Sequence, residues 1–361
     1  MRITNTHSHI FTFEYVPERF LPLRLVRFLA KNNRLNKFAR LLNWINPFSD
    51  NDTFQRYANF IRKGSNKSQY AIFTKMKLNY PALTRFVILS MDFEYMAAGK
   101  PEKDFIDQIR TLAKIKKRHS EPGSFIPFVM ADPRRPNIIE IVKMAIEMYE
   151  FGGIKLYPPL GYYPFDKRLY PIYEYACKYE IPVVTHCSTG GIYYRGKINK
   201  QMLIHPKTKE KLEKKRNKDF CRNFTHPANF EYVLSDFPGL KLCFAHFGGN
   251  KEWDKYIFAG RVDLLYKSWL YLIKSLLMRF PNTYADISYT LADSAYLPTL
   301  IKLINNPKLN NKILFGSDFY MANIEQSEQY FAEGIKLAIG HEMFHRIATI
   351  NPINYLKTKL C

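Results

Sequence analysis

The chain has 361 residues, 47% of them hydrophobic and 24% charged, with 28 Phe and 25 Tyr. That composition excludes an intrinsically disordered chain, and 16 Gly and 21 Pro spread without period exclude collagen-like or mucin-like sequence. Basic residues exceed acidic ones by 22, which raises anionic small molecules, anionic membranes and nucleic acid as partner classes.

Residues 1–7 run straight into polar sequence with no secretory leader, and no apolar run reaches about 18 residues, so a cytoplasmic protein is expected. Short apolar runs then recur along the chain. Residues 2–6 lead into His7-Ser8-His9, 85–91 end at Asp92, and 124–130 end just before Asp132. Residues 153–157 read GIKLY, 181–185 end at His186 and 240–245 end at His246. Residues 283–287 contain Asp286, and 312–316 stop just before Asp318. Between them, 102–118, 137–149, 228–237, 261–279, 295–305 and 325–339 carry helical period. Eight strands alternating with helices predict an α/β fold, a (β/α)8 TIM barrel, as a single domain over 1–361. Long insertions, 11–84 and 188–226, follow strands 1 and 5 and are expected near the active-site face. No GxGxxG or Walker pattern supports a nucleotide-binding sheet. The five cysteines are irregularly spaced, without a CxxC pair, and suggest neither a zinc ribbon nor a disulfide framework.

The chemistry lies at the strand ends. In a strand, residues i and i+2 share a face, so His7 and His9 can reach one ion. A closed parallel barrel brings His186, His246 and Asp318 to the same rim. Each of these, taken singly, also reads as a satisfied core residue or a cap; it is the set that points to a site. Three neutral imidazoles (His7, His9, His186) and one carboxylate (Asp318) can hold Zn2+ or another divalent metal with a coordination position open to water. Such an ion lowers the pKa of its water toward about 7. His246 is then free to act as the acid–base group.

These residues resemble the amidohydrolase superfamily, in particular the amidohydrolase-related branch that contains aminocarboxymuconate-semialdehyde decarboxylase. The resemblance rests on His7-Ser8-His9, Gly153-Ile154-Lys155-Leu156-Tyr157-Pro158-Pro159 and Pro182-Val183-Val184-Thr185-His186-Cys187. It continues through Ala245-His246-Phe247-Gly248-Gly249, Tyr284-Ala285-Asp286-Ile287-Ser288 and Leu314-Phe315-Gly316-Ser317-Asp318. It implies one metal on His7, His9, His186 and Asp318, with His246 and Asp318 moving protons. Lys155 is the further catalytic residue: if carboxylated it would bridge two metals, and otherwise it would pair with a substrate carboxylate, Asp92 or Asp132. One ion is the expectation. Tyr157 stands where many relatives carry a histidine. Arg134, Arg135 and Tyr157 are candidate substrate contacts, against the alternative that the arginines are simply solvated. Asp286 either orients a ligand histidine or is structural.

The resemblance implies a metal-dependent hydrolase using a metal-activated water on an ester, lactone or amide of a small, anionic molecule. Its alternative is a non-oxidative decarboxylase, a carbon–carbon lyase, of an unsaturated or aromatic carboxylic acid; a third reading is a catalytically silent protein that binds anionic surfaces. It also implies a homodimer. The excess charge is uneven: 19–40 holds seven basic residues and no acid, and 195–222 holds eleven against three acids. Together the two stretches can form a basic rim that steers anionic substrates; the first also interleaves apolar residues up to Trp44, so it can lie on an anionic membrane or pack on the barrel or a second subunit, and packing is the expectation. No nucleic-acid module is present, and no nucleic-acid partner is expected.

Overall fold

The computed structural model describes residues 2–20, 68–119, 123–290, 294–318 and 328–356. Eight strands form one sheet in sequence order: β1 (Thr4–Ser8), β2 (Arg85–Leu89), β3 (Phe125–Met130), β4 (Gly153–Leu156), β5 (Val183–Ser188), β6 (Leu242–Gly248), β7 (Thr283–Asp286) and β8 (Ile313–Leu314). Every neighbouring pair is parallel. The seam between β8 and β1 is closed by main-chain bonds, Thr6 N–H to the Phe315 carbonyl and Asp318 N–H to the His7 carbonyl, both 2.9 Å. The (β/α)8 barrel read from the sequence is therefore the fold.

The strands read as unbroken apolar runs because a parallel strand in a barrel is covered on both faces. Alternation still decides what each strand points inward. Val87, Leu89, Ile126, Phe128, Val184, Cys243, Ala245, Tyr284 and Leu314 form one buried cluster that fills the barrel. Two residues further along the same faces stand His186 after Val184, Asp286 after Tyr284 and Lys155 after Gly153. An apolar plug below and a polar layer above thus arise from one periodicity. The larger apolar cluster packs strands against helices, as with Phe105, Ile109 and Leu112 of the helix Phe105–Arg118, which Asp104 caps by accepting from the Asp107 N–H at 2.7 Å.

Several elements differ from their sequence reading. β1, β5 and β6 run two or three residues further than the apolar runs suggest, so His7, His186 and His246 lie within strands. The stretch 261–279 is two helices, Val262–Lys267 and Trp269–Arg279. Ser268 separates them in extended conformation, its hydroxyl accepting from the Tyr271 N–H at 3.3 Å; this local cap outcompetes a continuous helix. The stretch 137–149 is an α-helix, Ile138–Lys143, that widens into a π-turn, Met144–Met148.

The excursion 188–226 packs beside the C-terminal ends of β4 and β5. Tyr194 N–H donates to the Pro159 carbonyl at 2.9 Å, Arg195 N–H to Met96 at 2.7 Å, and Thr225 Oγ1 to the His186 carbonyl. Of the other insertion, residues 21–67, with most of the basic apolar stretch, lie outside the described residues. No helix among the described residues is long and apolar enough to cross a membrane.

Candidate metal centre

His7, His9 and Asp318 each offer a ligand atom within 4.8 Å of the others, and all three are buried. What lies behind each group sets which atom faces the centre. His9 Nδ1 is 3.0 Å from the Leu89 carbonyl, which can only accept, so Nδ1 carries the proton and Nε2 keeps its lone pair. Burial, with His7 and Lys155 nearby, holds the His9 ring well below its ordinary pKa and hence neutral. His7 Nδ1 donates to Asp286 Oδ2 at 3.0 Å, leaving its Nε2 as the free nitrogen. That Nε2 and Asp318 Oδ1 are both buried and meet no hydrogen-bond partner among the described residues. Buried acceptors left open cost free energy unless something satisfies them. Two imidazole lone pairs and a carboxylate oxygen converging in this way fit a divalent cation.

A polar layer supports this set. Asp286 Oδ1 accepts from the main-chain N–H groups of His246 (3.0 Å) and Ser288 (3.1 Å) and from the Ser288 hydroxyl. Burial by itself would raise the Asp286 pKa, but the facing His7 and His246 rings and the Ser288 hydroxyl hold it well below the carboxylate range. Ser288 Oγ also lies 3.2 Å from His7 Nδ1 and 3.0 Å from His246 Nδ1. His246 Nδ1 is a further 3.2 Å from the Ser288 carbonyl, so it carries the proton there and its Nε2 is the basic atom. Burial, reinforced by His7, pushes His246 down to about 4. His246, Phe247 and Asp318 adopt left-handed backbone, with φ of 64°, 43° and 54°. Such conformations cost non-glycine residues about 1–3 kcal/mol each and persist where surrounding contacts over-determine them.

His186 is not part of the tight group. Its ring lies 4.9 Å from that of His246 and stacks on Tyr157 at 4.3 Å. Its Nε2 donates to the Gly190 carbonyl at 2.9 Å, and its buried Nδ1 has no partner among the described residues. Gly191, at φ 101°, makes this packing possible: a Cβ there would lie 2.7 Å from Tyr157 Oη and 2.8 Å from the His186 ring. Lys155 is fully buried and its Nζ is likewise without a hydrogen-bond partner among the described residues. Burial pushes its pKa down to about 8 against the pull of Asp286 and Asp318.

A model of the amidohydrolase family matches residues 107–356. The chain belongs to that family. Solved structures similar to this amidohydrolase-family chain share its fold at low identity. An uncharacterised TIM-barrel protein from Bordetella bronchiseptica is 16% identical, covering 99% of each chain, with a TM-score of 0.55. A 4-oxalomesaconate hydratase from Rhodopseudomonas palustris is 17% identical over 98% of this chain and 95% of its own, with a TM-score of 0.51. A 5-carboxyvanillate decarboxylase from Novosphingobium aromaticivorans, solved with bound manganese, is 12% identical over 99% of this chain and 97% of its own, with a TM-score of 0.55. A comparison with curated protein sequences finds no match.

Within this amidohydrolase-family barrel, the arginines read as substrate contacts are already engaged. Arg134 forms a fork on Asp132 at 2.8 and 2.6 Å. Arg135 contacts Asp92 at 2.5 and 2.9 Å and Glu94 at 2.7 Å. Both guanidinium groups fork onto neighbouring carboxylates while their side chains stay 20% and 11% exposed, and Asp92 and Asp132 pair with them rather than with Lys155. Tyr157 Oη accepts from the Ile192 N–H at 3.1 Å, and burial raises its pKa. It supports the loop that holds His186. Asp286 is the residue that orients His7. Sequence reasoning gave Ser288 no role of its own, although it closes the run Tyr284–Ser288 two residues beyond Asp286.

Proposed function

We propose that this chain is a metal-dependent hydrolase that cleaves an ester, lactone or amide of a small anionic molecule with water. The observation that carries the reading is the convergence of His7 Nε2, His9 and Asp318, two of those atoms buried and without partners among the described residues. A bound divalent ion would polarise the carbonyl and make water acidic enough to ionise near neutral pH. We assign it to His7, His9 and Asp318, with His186 as fourth group, and take zinc as the first candidate and manganese as the second. A single ion is proposed; carboxylation of Lys155 would make room for two.

The chain's own residues handle the protons. His246 is neutral and holds its Nδ1–H against Ser288, which leaves Nε2 to take a proton from water and return it to the leaving oxygen or nitrogen. Asp318, grouped with His7 and His9 at the same centre, would share that transfer. Lys155 offers a buried ammonium to a substrate carboxylate, a role the engaged arginines do not fill.

One observation favours a second reading, non-oxidative decarboxylation. The Lys155 ammonium has no hydrogen-bond partner among the described residues, and solved structures of the same fold include 5-carboxyvanillate decarboxylases. In that reaction Lys155 would orient the carboxylate lost as carbon dioxide, and water would supply, by way of His246 Nε2, the proton that replaces it on the carbon. The experiment combines elemental analysis of the purified chain with assays on esters, lactones, amides and carboxylic acids. Metal with hydrolysis supports the first reading. Metal with carbon dioxide release transfers support to the second, and a chain that takes up no divalent metal sinks both.

A further inference from the structure

Asn5 sits on β1 two residues before His7, and it is fully buried. Its side-chain oxygen accepts from the Ser317 N–H at 3.1 Å and from the His7 N–H at 3.3 Å. Its side-chain nitrogen donates to Ser317 Oγ at 2.8 Å and to Tyr80 Oη at 3.1 Å. The carboxamide thus makes two bonds as acceptor and two as donor, the full capacity of that group. Its partners flank the barrel seam. One is the main chain of the ligand His7, and another is the residue just before the ligand Asp318. Asp318 N–H in turn meets the His7 carbonyl at 2.9 Å, so the left-handed Asp318 is pinned to β1 at His7, two residues before His9.

We propose that Asn5 is a positioning residue for the metal centre: a side-chain clamp across the β8–β1 seam that fixes the spacing between the histidine pair and Asp318. The inference rests on the assignment of His7, His9 and Asp318 to a cation. A carboxamide suits the position because it accepts main-chain N–H groups and donates to hydroxyls without adding a charge beside the ligands. Alanine would leave the Ser317 and His7 N–H groups without these acceptors and let the two ligand strands drift. A different buried asparagine provides the control. Asn351 donates to the carbonyls of Asn310 (2.9 Å) and Ile313 (2.8 Å), so it grips the opposite end of β8.

The test is titration of the metal-stripped full chain with Mn2+, following free ion by electron paramagnetic resonance, with thermal unfolding measured alongside. Asn5→Ala is expected to weaken Mn2+ binding by about tenfold or more, as removal of groups that orient metal ligands does. Asn351→Ala is expected to lower the melting temperature while leaving Mn2+ affinity unchanged. Ser317→Ala removes one arm of the clamp and is expected to weaken binding in the same direction, which provides the reading should Asn5→Ala not fold. Wild-type affinity in Asn5→Ala, or in Ser317→Ala if that is the variant that folds, overturns the clamp. Equal loss of affinity in Asn351→Ala reduces it to general stability and also overturns it. Absence of Mn2+ binding by the unaltered chain overturns the metal assignment itself.

Discussion

His7 and His246 face the same carboxylate–hydroxyl pair yet are given different work by it. Asp286 accepts from the His7 Nδ1–H and leaves Nε2 free for the proposed ion, and Ser288 accepts from the His246 Nδ1–H and leaves Nε2 free for the proposed role as base. The two histidines should therefore separate on substitution. His7→Ala is expected to lose metal and turnover together, whereas His246→Ala keeps most of its metal and loses turnover by about 100-fold or more, measured as metal content against kcat. Substantial metal loss in His246→Ala would point to a second ion. Asp286→Asn keeps shape but weakens the hold on the His7 proton. Metal affinity is expected to fall by about 10–100-fold, read by chelator competition, and unchanged affinity would remove Asp286 from its assigned role. Much of this was legible: His7-x-His9, His186, His246 and Asp318 stand at strand ends in the bare sequence. The tautomers were not. Those of His9 and His246 depend on Leu89 and Ser288, which lie 80 and 42 residues from the rings they face, and no local pattern encodes such pairings.

At the scale of elements, the rim above β2 and β3 is stiffened by ion pairs. Arg135 spans Asp92, three residues past the end of β2, and Glu94 just beyond it. Asp92 is buried and its pKa is raised by desolvation despite Arg135 drawing it back down. Arg135→Ala would strand that carboxylate, at a cost of about 3–5 kcal/mol at neutral pH by chemical denaturation. The sign of the pH effect follows. With its partner gone, the folded-state pKa of Asp92 climbs further above the unfolded value, so the folded chain binds the extra proton and the deficit narrows as pH falls. A deficit independent of pH would show that the arginine acts by packing alone. The helices were legible from their apolar spacing, but the break at Ser268 was not, since one hydroxyl bond to Tyr271 decides it.

For the whole molecule, alternation along the strands stacks an apolar plug beneath a polar layer, and among the described residues that layer holds several buried groups with unmet hydrogen-bonding capacity. A cation that satisfies the His7 and Asp318 acceptors among them would bind the folded chain and not the unfolded one. At about 100 times its dissociation constant it would stabilise the fold by about 2.7 kcal/mol. Scanning calorimetry with and without chelator is expected to show a higher melting temperature for the metal-loaded form. Identical melting curves would mean that the layer is satisfied without metal. The barrel itself was visible in the order of eight apolar runs, because parallel strands leave a long, continuous signature. The seam was less so, since β8 pairs over only two residues and is completed by contacts with β1 more than 300 positions away.

That seam constrains what evolution or an engineer can place at Gly316. A Cβ there would lie 2.8 Å from His7 Cβ and 3.2 Å from the His7 nitrogen, with Ser288 on the other side. If codon 316 were fully randomised and the pool sorted for chains that retain metal, sequencing the survivors should return glycine almost alone. Alanine among them would mean that the first strand can yield several tenths of an ångström without releasing its cargo.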